Sequence, residues 1–206
     1  RIWLEKYSTY PIMGEEVRIF KTTVGNKDVI VYKTVLGGPA TTMIMEEMIS
    51  RGVKTFIIFG SCGALIESLK EGEIFIPENA YRDEGTSYHY LPASEFVKVE
   101  TADKLSKIFD ENGVKYLKVN TWTTDALYRE TADRVKLMSK NNCSVVEMEC
   151  ACISALAKLR NVNTYQFLYT DDVLGGNEYD ARTLIADRTD MLTKCFRIAL
   201  KVVEKI

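Results

Sequence analysis

Short apolar stretches alternate with segments of helical periodicity along the chain. Asp28 to Lys33 and Thr55 to Phe59 are β-branched or aromatic runs of strand length, and glycine follows each within a few residues. Between them, Pro39 to Arg51 carries apolar residues at helical spacing, with a proline suited to a first turn and Gly52 to a stop. This order of strand, helix and strand predicts a βαβ unit with a right-handed crossover.

The same alternation continues to the end of the chain. We predict further strands at Glu73 to Ile76, Tyr116 to Thr121, Ser144 to Met148 and Thr164 to Tyr169. We predict further helices at Ala102 to Asn112, Thr131 to Asn141, Cys150 to Leu159 and Arg188 to Glu204. The pattern predicts a single α/β domain over residues 1–206, with a mixed, largely parallel central sheet flanked by helices. Ligands of such sheets bind outside the carboxyl ends of the strands, so the loops there are the places to look for a site.

Composition argues against two classes of partner. The chain has 206 residues, with 27 basic against 29 acidic side chains and a net charge of -2. This near balance provides little electrostatic attraction to nucleic acid or to an anionic membrane surface.

No apolar run approaches the roughly 20 residues that a membrane-spanning helix requires, and the start of the chain lacks the features of a signal peptide. Because the first residue is Arg1 and not Met, we expect a trimmed N-terminus.

The number of cysteines indicates that their thiols are reduced. They are five in number, an odd count in a chain long enough to bury a core, and this favours a cytoplasmic protein over a disulfide framework. Cys150 and Cys152 lie two apart on a predicted helix and should point to different faces, so we expect no metal site. We expect His89, the only histidine, to be a buried structural residue.

Short motifs follow three of the predicted strands. Gly60 to Ala64 (GSCGA) could offer backbone N–H groups and the Ser61 hydroxyl to an anion, although a plain tight turn is the alternative. Glu147-Met148-Glu149 ends a strand with two carboxylates, one of which could accept hydrogen bonds from a vicinal diol. The alternative is an acid that caps the next helix. Asp171 and Asp172 follow a buried strand, and their mutual repulsion would raise one pKa and create a general acid, unless they form only a cap or turn.

Taken together, these motifs resemble the trimeric or hexameric nucleoside phosphorylases, which include bacterial purine nucleoside phosphorylase and uridine phosphorylase. The resemblance runs from about Arg18 to the closing helix. It is carried by Gly37-Gly38-Pro39, Gly60-Ser61-Cys62-Gly63-Ala64, Glu84-Gly85-Thr86-Ser87, Thr124-Asp125 with Tyr128, Val146-Glu147-Met148-Glu149 and Thr170-Asp171.

The resemblance implies a role for each of these positions. Phosphate would be held by Gly60 and Ser61, with Arg18 reaching the phosphate site of a neighbouring subunit. The ribose would meet Met148 and Glu149, and the base would meet Cys62, Gly63, Leu127 and Tyr128. Asp171 would protonate the leaving purine with help from Arg188. From the residues alone, however, Leu127 and Tyr128 are more typical of a core.

The resemblance also implies the reaction and the assembly. A nucleoside and phosphate would be the substrates, in nucleotide salvage, and neither a metal nor an organic cofactor would be required. Because Arg18 could reach phosphate only across a subunit boundary, we expect a homo-oligomer, either a dimer or a hexamer built from dimers.

Two departures from the family pattern keep alternatives open. Ile58 stands where the family places an arginine three residues before Ser61, and the opening strand with its Gly-Asp-Pro loop is absent from the sequence. Hydrolysis by a nucleosidase, which needs no such arginine because water is neutral, is therefore an alternative. A catalytically inactive nucleoside-binding protein is another. Asp171 favours a purine substrate, whereas Glu84 to Tyr90 looks closer to the uridine branch.

Overall fold

The computed structural model describes residues 5–12, 15–176, 179–181 and 189–206. A small antiparallel sheet is formed by β1 (Glu5–Ile12), β2 (Glu15–Val24) and β3 (Lys27–Tyr32). The central sheet contains β4 (Thr55–Ala64), β5 (Ile74–Asp83), β6 (Phe96–Lys98), β7 (Leu117–Thr124), β8 (Cys143–Glu147) and β9 (Asn163–Val173). The helices are α1 (Gly38–Ser50), α2 (Ala102–Glu111), α3 (Ala132–Lys140), α4 (Cys150–Arg160) and α5 (Thr189–Lys205). Within these ranges no helix is both long and apolar enough to cross a bilayer.

The central sheet closes on itself. Its strand order is β6-β5-β7-β8-β4-β9, and β5 also pairs with β9 through Ile74 opposite Tyr169 and Phe75 opposite Leu168. The long ladders, β4 with β9 and β5 with β7, are parallel, while the antiparallel pairings are short. The predicted mixed, largely parallel sheet flanked by helices is thus confirmed.

Helix α4 lies at the centre of the packing. Cys150 and Ala151 join the largest apolar cluster, which also contains residues of α2, α5 and β9, while Ile153 and Leu156 pack with α1. Every residue of α4 from Cys150 to Ala157 is buried. Small residues on most of its surface allow this, because they let neighbouring elements approach from all sides.

The predicted βαβ unit around α1 is wrong. Strand β3 pairs with β2 in the small sheet, whereas β4 belongs to the central sheet, so α1 connects two different sheets. The small sheet contributes Ile19 to the apolar cluster that contains Ile44 and Met48 of α1. Strand length and apolar content identified β3 correctly, but neither property says which sheet a strand joins.

Several segments predicted as loops continue their strands instead. Gly60 to Ala64 lies inside β4, with Ser61 opposite Tyr169, and Asp171 and Asp172 lie inside β9. We placed the predicted strand ends where the apolar runs stop, and the polar and small residues of these segments lie just beyond those points. They are tolerated inside strands because the closed sheet brings hydrogen-bonding partners to both sides.

At Gly38, α1 approaches α4 very closely. A Cβ atom added there would lie 2.2 Å from the Cys152 Sγ and 3.2 Å from its Cβ. Only a glycine permits this separation, and the contact places the start of α1 beside the start of α4.

We expect Gly38→Ala to lower the free energy of unfolding by about 1–3 kcal/mol, because the new methyl group overpacks the contact with Cys152. Urea denaturation of this variant, of Cys152→Ala and of the double variant measures the effect. The cost of Gly38→Ala should be smaller in the Cys152→Ala background, where the clashing sulfur is gone. Equal costs in both backgrounds would show that the contact is not the cause.

Candidate active site

The ends of β4, β7, β8 and β9 meet at one place. Gly63 of β4 pairs with Val146 of β8, and Cys62 pairs with Thr170 of β9. On the other side, Thr123 of β7 pairs with Glu147. The motifs that follow three separate strands in the sequence are therefore neighbours in the fold.

Asp171 occupies a β-bulge. Along the β4 and β9 ladder, Cys62 pairs with Thr170 and Gly63 with Asp172, so Asp171 is the extra residue. It is 1% exposed. A bulge locally redirects side chains and is common beside active sites, which is consistent with the general acid predicted at this position.

Glu147 is a buried carboxylate with hydrogen bonds on both oxygens. Its Oε1 accepts hydrogen bonds from the hydroxyls of Thr121 at 3.2 Å and Thr123 at 2.5 Å. Its Oε2 accepts hydrogen bonds from the backbone N–H groups of Glu149 and Cys150 at 2.7 and 2.6 Å. Burial, followed by repulsion from Glu149, raises the pKa of Glu147 to about 7, while the hydrogen bonds act in the opposite direction.

Glu149 takes a different position from Glu147. Its Oε1 accepts a hydrogen bond of 2.6 Å from the backbone N–H of Gly37, in the turn before α1. Burial raises its pKa, the hydrogen bond from Gly37 lowers it, and the nearby charge of Asp125 raises it further. The two acids of the motif thus divide the two roles that the sequence left open: Glu147 caps α4, and Glu149 remains at the strand ends as the candidate sugar ligand.

The Cys62 thiol lies close to several carboxylates. Its thiol is buried and donates a hydrogen bond to the carbonyl of Tyr169 at 3.4 Å. Burial raises its pKa well above the usual value, and the charges of Glu147, Asp172 and Asp171 raise it further. Surrounding carboxylates favour positive charge, such as the charge that develops on a ribose ring when its bond to a base breaks.

A loop from Asp83 to Tyr90 closes another side of the region. The Glu84 carboxylate accepts hydrogen bonds from the backbone and hydroxyl of Ser87 and from the Cys152 Sγ of α4, the last at 3.0 Å. The Asp125 Oδ2 accepts a hydrogen bond of 3.0 Å from the backbone N–H of Gly85. This loop, which resembles the uridine branch in sequence, is thereby fixed to the helix that follows Glu149.

Hydrogen bonds from a buried arginine also stabilise this loop. Arg82 donates to the Ser87 hydroxyl at 2.8 Å, to the Pro92 carbonyl at 2.7 Å and to the Ser94 hydroxyl at 2.9 Å. Its guanidinium also stacks on the Tyr88 ring, 4.0 Å from the centroid. These contacts make Arg82 a structural anchor of the loop.

Three expectations about individual side chains are wrong. His89 is exposed at the end of a short 3₁₀ helix, although we expected it to be buried. Leu127 and Tyr128 are not core residues, since their exposed fractions are 45% and 97%. They stand on a second short 3₁₀ helix, where a turn presents apolar side chains to the outside.

The predicted base contacts at Leu127 and Tyr128 remain predictions, but their loop does lie near the strand ends. Glu130, two residues after Tyr128, is close enough to Asp172 for repulsion to add to burial, and its pKa is raised to about 7. Because Leu127 and Tyr128 are exposed, their side chains are available to a ligand or to another subunit.

The remaining predicted positions are distributed more widely. Gly60 and Ser61 are half-buried within β4, and Met148 is half-buried between β8 and α4. Arg18 is exposed on β2 in the small sheet, and Arg188 lies outside the described residues. Ile58, in the place of the family's arginine, packs against the apolar cluster beneath the small sheet.

Sequence reasoning did not single out Thr123 or the role of the Gly37 backbone. Thr121 and Thr123 are fully buried polar residues two apart on a strand, so both point to the inner side. Threonine is common in strands of every kind. Two threonines at alternate positions therefore do not indicate a functional role until their hydrogen-bond partner, here Glu147, is known. Within the described part of the chain, no group of three or more His, Cys, Asp or Glu side chains is placed to hold a metal ion.

Comparison with known proteins agrees with this arrangement. The sequence profile of the phosphorylase superfamily matches residues 4–204. The chain belongs to this superfamily. A DeoD-type purine nucleoside phosphorylase from Clostridium novyi is 30% identical over 187 residues, which cover 88% of this chain and 78% of that protein. The predicted family is thus confirmed.

Solved structures of the superfamily share the fold. A uridine phosphorylase from Vibrio fischeri superposes with a TM-score of 0.81 at 21% identity, covering 98% of this chain and 84% of its own. An AMP nucleosidase from Bacteroides thetaiotaomicron superposes with a TM-score of 0.71 at 18% identity, covering 92% of this chain and 76% of its own. One fold thus occurs in a protein named as a uridine phosphorylase and in one named as an AMP nucleosidase, and the fold alone does not identify the reaction.

The raised pKa of Glu147 predicts a dependence of stability on pH. Since the folded-state pKa of about 7 exceeds the ordinary value of 4.5, the native state binds more protons than the unfolded state between these values. The contribution of this group to the free energy of unfolding is present below pH 4.5 and is lost as the pH rises through about 7. Urea denaturation at several pH values should show a smaller fall in stability for Glu147→Gln than for the wild type. The exposed Glu71→Gln serves as the control, and an unchanged slope in Glu147→Gln would contradict the assignment.

Proposed function

We propose that the protein is a nucleoside phosphorylase that cleaves the N-glycosidic bond of a purine ribonucleoside with phosphate, releasing the free base and ribose 1-phosphate. The observation that carries the proposal is the position of Glu149. In a chain of this superfamily, its carboxylate is held by the Gly37 backbone at the strand ends where Asp171 and Ser61 also lie.

Glu149 and Met148 form the sugar subsite in this proposal. The carboxylate accepts hydrogen bonds from the two ribose hydroxyls, and such charge-assisted bonds are stronger than neutral ones. The half-buried side chain of Met148 packs under the ribose ring. Together they hold the sugar with C1′ facing the nucleophile, which lowers the entropic cost of reaching the transition state.

Asp171 supplies the proton for the leaving base. As the bond between C1′ and the base nitrogen N9 breaks, its electron pair moves into the purine, and a proton from Asp171 at N7 neutralises the developing charge. Arg188 assists Asp171, and Cys62, Gly63, Leu127 and Tyr128 line the base subsite. A pyrimidine has no N7 to protonate, which is why the proposal favours a purine.

Phosphate attacks C1′ from a subsite formed by Gly60 and Ser61 of β4. Arg18 of a neighbouring subunit completes this subsite in a homo-oligomer, either a dimer or a hexamer built from dimers. The exposure of Arg18 on the small sheet supports a role across a subunit boundary. The buried free cysteines support a reducing, cytoplasmic location, in which the reaction would serve nucleotide salvage without metal or organic cofactor.

Hydrolysis is the second candidate, and Ile58 is the observation that favours it. The position that carries the family's phosphate-binding arginine is filled here by an apolar side chain packed beneath the small sheet. Loss of one charged contact at a partly buried site costs about 1.5–3 kcal/mol, or about one to two decades in affinity. Phosphate binding should therefore be weak if the enzyme is a phosphorylase.

The products distinguish the two reactions. We expect ribose 1-phosphate from inosine or adenosine only when phosphate is present, with saturation at high phosphate concentration because Ile58 contributes no charge. Chromatographic identification of the sugar product, with uridine as a second substrate, tests this. Free ribose formed at the same rate without phosphate would establish a nucleosidase, and binding without turnover of any nucleoside would establish an inactive homologue.

Substitution of Asp171 tests the acid. We expect Asp171→Asn to slow purine cleavage about 100-fold or more, the scale of a lost general acid, while affecting pyrimidine cleavage less. The neighbouring buried carboxyl provides a matched control, because Asp172→Asn removes the same charge without removing the proposed proton. Steady-state rates on inosine and uridine measure the difference, and equal losses on both substrates in Asp171→Asn would contradict the role.

A further inference from the structure

The first turn of α4 is capped from two neighbouring strands. The backbone N–H groups of Glu149 and Cys150 donate to the Glu147 Oε2 at 2.7 and 2.6 Å, and that of Ala151 donates to the Thr123 Oγ1 at 3.0 Å. N–H groups in a first helical turn have no partner within the helix. Glu147 at the end of β8 and Thr123 of β7 supply those partners here.

The two capping side chains are also bonded to each other. The Thr123 hydroxyl has one proton, which it donates to the Glu147 Oε1 at 2.5 Å, and its oxygen accepts from Ala151. Thr123 is fully buried and Glu147 is 7% exposed, so water does not compete for these bonds. The cap is therefore one connected unit of hydrogen bonds.

The backbone of Glu149 is part of this unit, and its side chain is held separately, by the turn before α1. The backbone N–H is bound by Glu147, while the Oε1 accepts the hydrogen bond from Gly37 at 2.6 Å. A carboxylate restrained at both its backbone and its side chain loses little further freedom when it binds a ligand. This is the preorganisation that a binding group requires.

We propose that Thr123 and Glu147 are positioning residues that hold Glu149 in the geometry needed to bind the sugar hydroxyls, without themselves touching the substrate. The inference rests on the proposed function of Glu149 as the sugar ligand. It gives Glu147 a buried structural task, in place of direct sugar binding, and it assigns a function to Thr123.

Thr121 provides a matched control within the same strand. It is also fully buried, but its single hydroxyl proton lies between two acceptors, the Glu147 Oε1 at 3.2 Å and the Val145 carbonyl at 3.4 Å. Thr121→Val and Thr123→Val thus remove the same group from the same face of β7. Only the second removes a partner of the α4 backbone.

The experiment has one readout that depends on substrate and one that does not. The first is the preference for a ribonucleoside over its 2′-deoxyribonucleoside, as the ratio of the two kcat/KM values. The second is amide hydrogen exchange at Glu149, Cys150 and Ala151. Both are measured for wild type, Thr121→Val, Thr123→Val and Thr123→Ser, in which the hydroxyl is retained.

We expect Thr123→Val to reduce the ribose preference about tenfold and to lower amide protection in the first turn by a similar factor, as for loss of a helix cap. Thr123→Ser should keep both near the wild-type values, and Thr121→Val, which removes only the longer of the two hydroxyl contacts with Glu147, should change both less than Thr123→Val does. A merely structural role would lower activity on both nucleosides equally and leave their ratio unchanged, which would overturn the proposal.

Failure of the proposed function would look different. If the wild type cleaved no nucleoside, the proposed function would fail and the kinetic readout with it, but the exchange measurement would still decide whether the cap orders the first turn. Unchanged protection in Thr123→Val would reject the cap itself.

Discussion

Closure of the central sheet is the constraint on which the candidate site depends. The short pairing of β5 with β9 brings the last strand back to an early one, so that the strands enclose a common interior. Polar residues at the ends of β4, β7, β8 and β9 are thereby surrounded by other polar residues. In an open sheet the same segments would face solvent or an apolar layer, and burying them there would cost several hydrogen bonds.

Two carboxylates can lie near one another, one of them buried and one half-buried, because nearby hydrogen-bond donors compensate each one. Removal of a charged group from water is costly unless hydrogen bonds replace the lost hydration. Glu147 receives these bonds from the start of α4 and from two threonines, and Glu149 receives one from Gly37. The tight contact of Gly38 with Cys152 brings the turn that contains Gly37 to this place. Packing between two helices thus controls the electrostatics of the site.

Much of this arrangement could be predicted from the sequence. Apolar periodicity located the helices and the cores of β3, β4, β5, β7, β8 and β9, and the strand-end motifs indicated the right family. Where the strands end, and which sheet β3 joins, could not be predicted because both depend on distant partners. Polar residues such as Asp171 look like the start of a loop until the pairing of β4 with β9 is known. The exposure of His89 and Tyr128 was likewise missed, because an aromatic neighbourhood in sequence does not establish a packed one in space.

Because β9 contains a bulge, the number of residues in this strand, as well as their type, determines which acid faces the interior. Side chains alternate between the two faces of a strand, and one extra residue exchanges the faces for everything beyond it. Asp171 is that residue, and Asp172 and Val173 resume the pairing with Gly63 and Ala64. Relatives that gained or lost a single residue here would present a different side chain to the same interior. An insertion or deletion in this strand would therefore change the side chain that faces the interior without any substitution of Asp171 itself.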